Sequence, residues 1–527
     1  MAIRVSPLFS DGMVVQRDKP LRVVGETTPW AAVQVSFQGV RRVKRVGEDG
    51  RFSIKLGEFP INSEPSPIII QSNEEVLTIN DVVVGDVWLL VGQSNMELWL
   101  SRTAHNYPDA LKDDDQLIRY FAVPQEPKFD APRDALNISP TRWVKLNPKT
   151  APDFSAVGYF LAKRLRERYD VPIGLLAAAV GGTPIAAWLS EAECDKLGID
   201  CAETHKCADP AFLRNMQDTE AAATAKYMAD LDNADLGLRG DWASPDYDDS
   251  EWESGQLTDH VLGSGSHWYR RTITVPADMA GARAEIYLGT AIDMDDIFIN
   301  GVKIGTTGYR FPPRRYAFVM PDGTCTVALR LLTFSGGGEF TPGKNRFIAT
   351  DIGTIPLDGP WRRRTAALTT DAPTTTFARN LPTALYNGMI APLAHTGLKG
   401  IAWYQGESDT GRPYRYGDKL KALITSWRRL FDDPKLPFLI QQIAHWHHTG
   451  PGGPEPDHHQ RWEILRLEQK RALQLNRVGL SGGYDVGEYN DLHPQGKQVV
   501  GERLARLASR VAYGEKLPPN MFEQYHL

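Results

Sequence analysis

Two residues of the chain have the types and settings that nucleophilic catalysis requires, Ser94 and His493. Ser94 stands in Val91-Gly92-Gln93-Ser94-Asn95-Met96, after an apolar run and before Met96-Glu97-Leu98-Trp99-Leu100, a stretch able to open a helix. A serine at a strand-to-helix turn presents its hydroxyl at the carboxyl edge of a sheet, where α/β enzymes place their sites. The helix start adds N–H groups and partial positive charge for a developing oxyanion. Gly92-Gln93-Ser94-Asn95 equally fits a serine that merely caps the helix. A nucleophilic serine also needs a base. Among the 12 histidines, His493 in Asn490-Asp491-Leu492-His493-Pro494 suits that role, in a loop just before the last helix. Asp491, two residues upstream, can hold the imidazole Nδ1–H so that Nε2 faces the serine.

The tetrahedral intermediate of acyl transfer needs hydrogen-bond donors as well. Val180-Gly181-Gly182-Thr183 follows a strand, and a glycine N–H there can approach a substrate closely. Trp403-Tyr404-Gln405-Gly406-Glu407-Ser408 follows another, and the Gln405 amide offers a further N–H. Each segment alone reads as a tight turn. All four lie after expected parallel strands or in the last loop before a helix, positions that converge on one edge of a doubly wound sheet.

The elements that would hold them read as follows. Residues 1 to 80 are strand-like: Pro20–Gly25, Ala32–Phe37 and Arg51–Leu56, with Asp49-Gly50 as a hairpin signal. They predict a small N-terminal β-sandwich. From Asp81 the run Val82 to Val91 fits a parallel strand buried on both faces. Strands are expected at 117–123, 173–180, 400–404, 437–443 and 478–481, and helices at 156–168, 419–430, 461–475 and 496–512. That alternation predicts an α/β layered domain with a parallel sheet. It is interrupted over 237–368 by strand-like segments, among them Trp268–Val275, Ala284–Leu288 and Asp293–Gly305, where Asn300-Gly301 signals a type I′ hairpin. The expected domains are therefore 1–80, 81–236 with 369–527, and an inserted all-β domain over 237–368.

Gly92-Gln93-Ser94-Asn95-Met96, Gly181-Gly182, Trp403-Tyr404-Gln405-Gly406-Glu407 and Asp491-Leu492-His493-Pro494 resemble the ordered blocks of the SGNH hydrolase superfamily. Within it they are most similar to the sialate O-acetylesterase family of carbohydrate acetylesterases. The likeness extends to Leu8-Phe9-Ser10-Asp11-Gly12-Met13-Val14-Val15-Gln16 and to Tyr386-Asn387-Gly388-Met389-Ile390-Ala391-Pro392-Leu393. The resemblance implies a flavodoxin-like three-layer α/β catalytic domain. It implies Ser94 as nucleophile, His493 as base and Asp491 as orienting acid. The oxyanion hole would comprise Ser94 N–H, Gly182 N–H and Gln405. Many SGNH enzymes carry Asp three residues before the histidine, where this chain has Asn490. The acid is thus Asp491, Asp485 or Glu407, or a backbone carbonyl in a Ser–His dyad, and the alternative role of Glu407 is to brace the site from below. The inserted stretch Asp296–Gly301 resembles the jelly-roll domains that accompany many glycoside hydrolases.

The implied activity is hydrolysis of O-acetyl groups on sialic acid or on plant cell-wall polysaccharide such as xyloglucan or xylan. No cofactor or metal is called for. A non-catalytic carbohydrate-binding protein and a glycan O-acetyltransferase are the rival functions. Lys+Arg 59 against Asp+Glu 65 gives net charge -6 with no basic block, which argues against nucleic acid or an anionic membrane as partner. No apolar run approaches the ~20 residues of a membrane helix. The N-terminus shows no apolar leader, so the expectation is a cytoplasmic protein, or a periplasmic or extracellular one whose leader has been removed. Cys194, Cys201, Cys207 and Cys325 read as free or buried thiols. Gly479-Leu480-Ser481-Gly482-Gly483 matches the G-x-S-x-G elbow only formally, because no helix is expected after it. His445, His447, His448, His458 and His459 crowd one loop but lack the H-E-x-x-H spacing of a zinc site. Of the aromatics Trp99, Trp188, Trp403, Tyr404 and Trp446, Trp188 and Trp446 are the expected sugar contacts.

Overall fold

The computed structural model of the chain describes residues 2–310, 312–446, 458–488, 491–518 and 520–526. Six strands among them form a parallel sheet: β1 (Glu75–Gly92), β2 (Asp115–Ala122), β3 (Ile173–Ala179), β4 (Gly400–Tyr404), β5 (Phe438–Gln441) and β6 (Val478–Ser481). Their order is β2-β3-β1-β4-β5-β6, with antiparallel strands Val144–Leu146 and Glu523–His526 at the edges. The chain builds β2 and β3 on one side of β1, then crosses to β4 on the other. Strand order thus reverses between β1 and β4, where open α/β sheets bind ligands at their carboxyl ends.

Val87 to Val91 on β1 are all 0% exposed, because helices cover both faces of the sheet. Pleating sends Leu89 and Val91 toward the helix Tyr416–Leu430 and its Leu420, Leu423 and Trp427. Trp88 and Leu90 face Ala156–Tyr169 and Lys497–Val511 through Leu161, Leu165, Leu504 and Leu507. Each such side chain contributes ~1.5–3 kcal/mol of burial. Ser155 caps the helix Ala156–Tyr169 by accepting from Gly158 N–H at 3.1 Å, and donates to Met96 C=O at 2.6 Å. That second bond ties the helix start to the turn carrying Ser94.

The expected boundary at residue 81 falls inside β1. The strand first pairs with Asn62–Ser72 (Ile79 opposite Ile68) and Val14–Gln16 (Val83 opposite Val14), then enters the central sheet at Asp86. A shared 18-residue strand leaves no hinge between the N-terminal β region and the central sheet. Asp49-Gly50 is not a hairpin. The strands on either side pair elsewhere, Val40–Arg45 with Ala32–Phe37 and Arg51–Gly57 with Leu21–Glu26, so the corner crosses between sheets.

The 25-residue helix Pro210–Ala234, absent from the sequence expectations, leads into the inserted region. There, antiparallel sheets of six and four strands enclose Tyr269, Ile286, Ile297, Leu329 and Ile348. Asn300 (φ 46°) and Gly301 (φ 82°) join Met294–Ile299 to Val302–Thr307, and positive φ at both residues is the type I′ signature. The four cysteines are free and buried. Among the described residues, no helix is long and apolar enough to cross a membrane.

Candidate active site

Ser94 opens a single helical turn, Ser94–Glu97, at the carboxyl end of β1. The cap position belongs to Gln93, with no side-chain cap bond, so the helix-cap role does not fall to Ser94. Its Oγ instead lies 2.8 Å from His493 Nε2. Gly92 makes this approach sterically feasible. Its φ is 143°, and a Cβ there would sit 2.0 Å from the Tyr404 carbonyl oxygen on β4. Only glycine lets the two strands meet so closely beside Ser94.

Two N–H groups in the turns beside Ser94 have no partners among the described residues. One is that of Ser94, an orphan at the helix start, and the other is that of Gly182. The Gly181-Gly182 turn is fixed from both sides. Gly181 N–H donates to Glu97 Oε2 at 2.6 Å, and Gly182 C=O accepts from Asn380 Nδ2 at 3.0 Å. A Cβ on Gly182 would meet nothing within 4 Å, so the space before it is open.

Gln405 departs from its expected part in the oxyanion hole. Its Nε2 carries two hydrogens and already faces three acceptors: Gln93 Oε1 (3.2 Å), Thr183 C=O (3.1 Å) and Asp409 Oδ2 (2.7 Å). Gln405 is fully buried, and its Oε1 accepts from the Tyr416 hydroxyl at 2.8 Å. It braces the floor by tying the ends of β1 and β4 together through Gln93.

The acids occupy distinct places. Asp491 Oδ1 accepts the main-chain N–H of His493 at 2.8 Å, and Oδ2 accepts from Lys344 Nζ at 2.7 Å. Asp491 therefore acts on the histidine's backbone, where the sequence pointed to the ring. Asp485 is committed to Arg503 through two bonds of 2.7 and 2.6 Å, which hold its carboxyl below the usual range. Glu407 Oε1 accepts from Asn95 Nδ2 at 2.6 Å, beneath Ser94. Burial raises the Glu407 pKa. Asn490 lies outside the described residues. Burial, then the charges of Lys497 and Arg102, push His493 down to about 3, so the ring is neutral at neutral pH and can accept a proton.

Apart from Glu407, the sequence did not single out the groups beneath this pair. Asn95 is 0% exposed and makes three bonds: Nδ2 to Glu407 Oε1 (2.6 Å), Nδ2 to Leu492 C=O (3.0 Å), and Oδ1 from Lys497 Nζ (2.5 Å). Asn95 follows Ser94 and Leu492 precedes His493, so one side chain sets their spacing. Lys497 is wholly buried, and burial lowers it to about 8. A signal was available: Lys497 begins a helix, where the dipole disfavours a cation, so its presence calls for another reason.

Other expectations resolve simply. Trp188 is fully buried with its Nε1 donating to Thr183 Oγ1 at 3.1 Å, and belongs to the core, not to a sugar platform. Trp446 is half-buried and packs against Trp462. Trp403 and Tyr404 are also core, whereas Trp99 is 52% exposed. Ser481 is buried at the end of β6 and cannot serve as an elbow. No group of three His, Cys, Asp or Glu able to hold a metal occurs among the described residues, and His447 and His448 lie outside them.

The carbohydrate esterase family described as sialic acid-specific acetylesterase matches residues 84–206 and 366–510, the segments that carry every group above except Lys344. Sialate O-acetylesterase of Mus musculus is 33% identical over 145 residues, 25% of this chain and 27% of that protein. The Homo sapiens enzyme is 29% identical over 155 residues, 25% of this chain and 28% of the human protein. The matched part thus spans just over a quarter of these relatives. A solved carbohydrate acetylesterase from Xanthomonas citri shares the fold over 98% of this chain and 77% of its own, with TM-score 0.61 and 24% identity. With half of its length matched by the family model, the chain belongs to the sialic acid-specific acetylesterase family of carbohydrate esterases.

Proposed function

We propose that the chain hydrolyses O-acetyl esters of carbohydrates through an acetyl-Ser94 intermediate. The single observation that carries this reading is the 2.8 Å approach of His493 Nε2 to Ser94 Oγ, beside the open N–H groups of Ser94 and Gly182. Ser94 Oγ attacks the acetyl carbonyl carbon while His493 Nε2 takes its proton. The carbonyl oxygen, now negative, accepts from Ser94 N–H and Gly182 N–H. On collapse, His493 returns the proton to the departing sugar oxygen. The same ring then deprotonates a water that releases acetate and frees Ser94. Asp491 holds the histidine loop through its backbone, and Gln405 supports the floor.

The surrounding layout we read as a flavodoxin-like SGNH domain with the sheet between two helical layers. The N-terminal β-sandwich is fused to it, and the inserted β region is of jelly-roll type. The substrate class is an acetylated sugar, sialic acid or a cell-wall glycan such as xyloglucan or xylan.

Acetate release from acetylated sialic acid, xylan and xyloglucan, alongside p-nitrophenyl acetate, tests the reading and orders the substrates. Ser94→Ala is expected to lower kcat/KM by at least ~10³-fold. An undiminished rate in that variant refutes the mechanism, and binding without turnover favours the carbohydrate-binding alternative. Acetyl transfer to a second sugar in place of water would identify a transferase.

A further inference from the structure

Every group of the proposed chemistry comes from residues 81–236 and 369–527, yet one side chain of the inserted β region reaches the histidine loop. Lys344 lies 147 positions before Asp491 and donates from Nζ to Asp491 Oδ2 and Glu488 Oε2, each at 2.7 Å. On its own side Lys344 is anchored. Its carbonyl accepts from Arg346 Nη1 at 3.0 Å, and Arg346 Nη2 donates to Thr341 C=O at 2.6 Å. Gly289 packs so tightly on it that an added Cβ would fall 2.7 Å from Lys344 Cβ.

Beyond Lys344, the two carboxylates hold the peptide groups around the catalytic base. Asp491 Oδ1 takes the His493 N–H at 2.8 Å, and Glu488 Oε1 takes the Gln495 N–H. Gln495 Nε2 donates to His493 C=O at 2.8 Å. Two acids brought to one ammonium would repel each other without it, and the loop would lose the constraint that keeps Nε2 aimed at Ser94.

We propose that Lys344 is a positioning residue for His493, acting through Asp491 and Glu488, and that the inserted β region is thereby a working part of the hydrolase. This inference rests on the reading of Ser94 and His493 as nucleophile and base. It assigns a role in the reaction to a region that the family match does not cover.

The charged and titratable groups around His493 come from four places. Arg102 and His105 follow the nucleophile, Glu407 lies beneath it, and Glu488, Asp491 and Lys497 flank the base in sequence. Lys344 and Arg315 face them from the inserted region. Removing the Lys344 charge leaves Asp491 and Glu488 with less compensation, which favours the imidazolium. The acid limb of activity then moves to higher pH.

The test compares wild type, Lys344→Met, Lys344→Arg and Ser94→Ala in two assays across pH. One is acetate release, and the other is phosphonylation of Ser94 by a fluorophosphonate, which needs no glycan. Lys344→Met is expected to lose about tenfold or more in kcat with little change in KM, as misaligned catalytic groups do. Its acid limb should rise by about one pH unit in both assays. Lys344→Arg, which keeps the charge, should recover most of each effect. Glu488→Gln, with one acid fewer, should move the limb the other way and reports even if the Met variant folds poorly. Unchanged kcat and pH profiles in a folded Lys344→Met protein overturn the inference, as do equal losses in the Met and Arg variants. Wild type that fails to label at Ser94 overturns the underlying nucleophile assignment instead.

Discussion

Replacing Asn95 by alanine is expected to loosen the approach of Ser94 to His493 without touching either. In the native site Asn95 bonds Glu407 Oε1 at 2.6 Å, Leu492 C=O at 3.0 Å and Lys497 Nζ at 2.5 Å, the first and last buried and the second partly so. Asn95→Ala strands these three groups at once. A buried polar group without a partner costs ~1–3 kcal/mol, and more when charged. Three give ~3–9 kcal/mol if the vacated space stays dry. A water admitted to a polar cavity can satisfy two or more of them, which places the expectation near the lower end, ~3 kcal/mol. Activity should fall further than stability implies, because the tie from Asn95 to Leu492 sets the 2.8 Å Ser94–His493 distance. A misplacement of about 1 Å costs ~10²-fold in rate. The assay pairs thermal melting with kcat for p-nitrophenyl acetate. Ser94→Ala serves as control, expected to abolish turnover while leaving the melting temperature near wild type. Asn95→Asp adds a second check. It keeps an acceptor for Lys497 but sets a carboxylate against Glu407, so its melting temperature should recover as pH falls. An Asn95→Ala protein with wild-type melting temperature and wild-type kcat would refute the bracing role.

Two further outcomes follow from the geometry. His493 is held down to about 3 by burial and by Lys497 and Arg102, and activity requires the neutral ring. The acid limb of kcat/KM should therefore lie far below the pH 6.5 of an ordinary histidine, and a midpoint at or above 6.5 contradicts this placement. Gly92→Ala would set a Cβ 2.0 Å from the Tyr404 carbonyl oxygen at a φ of 143°, prising β1 from β4. That change should cost several kcal/mol and yield little folded, active protein, and a soluble variant of wild-type activity would show the strands are not locked there.

The sequence by itself determined the strands of the central sheet and the pairing of Ser94 with His493, which the structure brings to 2.8 Å. The apolar run Val87–Val91 that ends the stretch Val82–Val91 suits a strand buried on both faces, and it lies in β1. The strands at 400–404 and 478–481 fall on the expected residues because turn residues bound short apolar runs. Ser94 and His493 were legible as a candidate pair because residue type and local context alone mark a serine and histidine suited to such chemistry.

Tertiary structure decided what depends on contacts distant in sequence. The corner at Asp49-Gly50 has the residues of a hairpin, and only the pairing of its flanking strands with separate sheets shows otherwise. Asp491 sits where a triad acid is expected, yet its two oxygens go to a main-chain N–H and to a lysine 147 positions away. Gln405 has the right amide, but three acceptors from other segments consume its hydrogens. Asn95 and Lys497 stand 402 positions apart, so no local pattern joins them. Local sequence sets backbone propensity and the chemistry a residue is able to perform. Which partner satisfies a buried polar group is fixed only when distant segments pack together, and around Ser94 that packing gives Asn95, Gln405 and Asp491 partners that no local pattern announces.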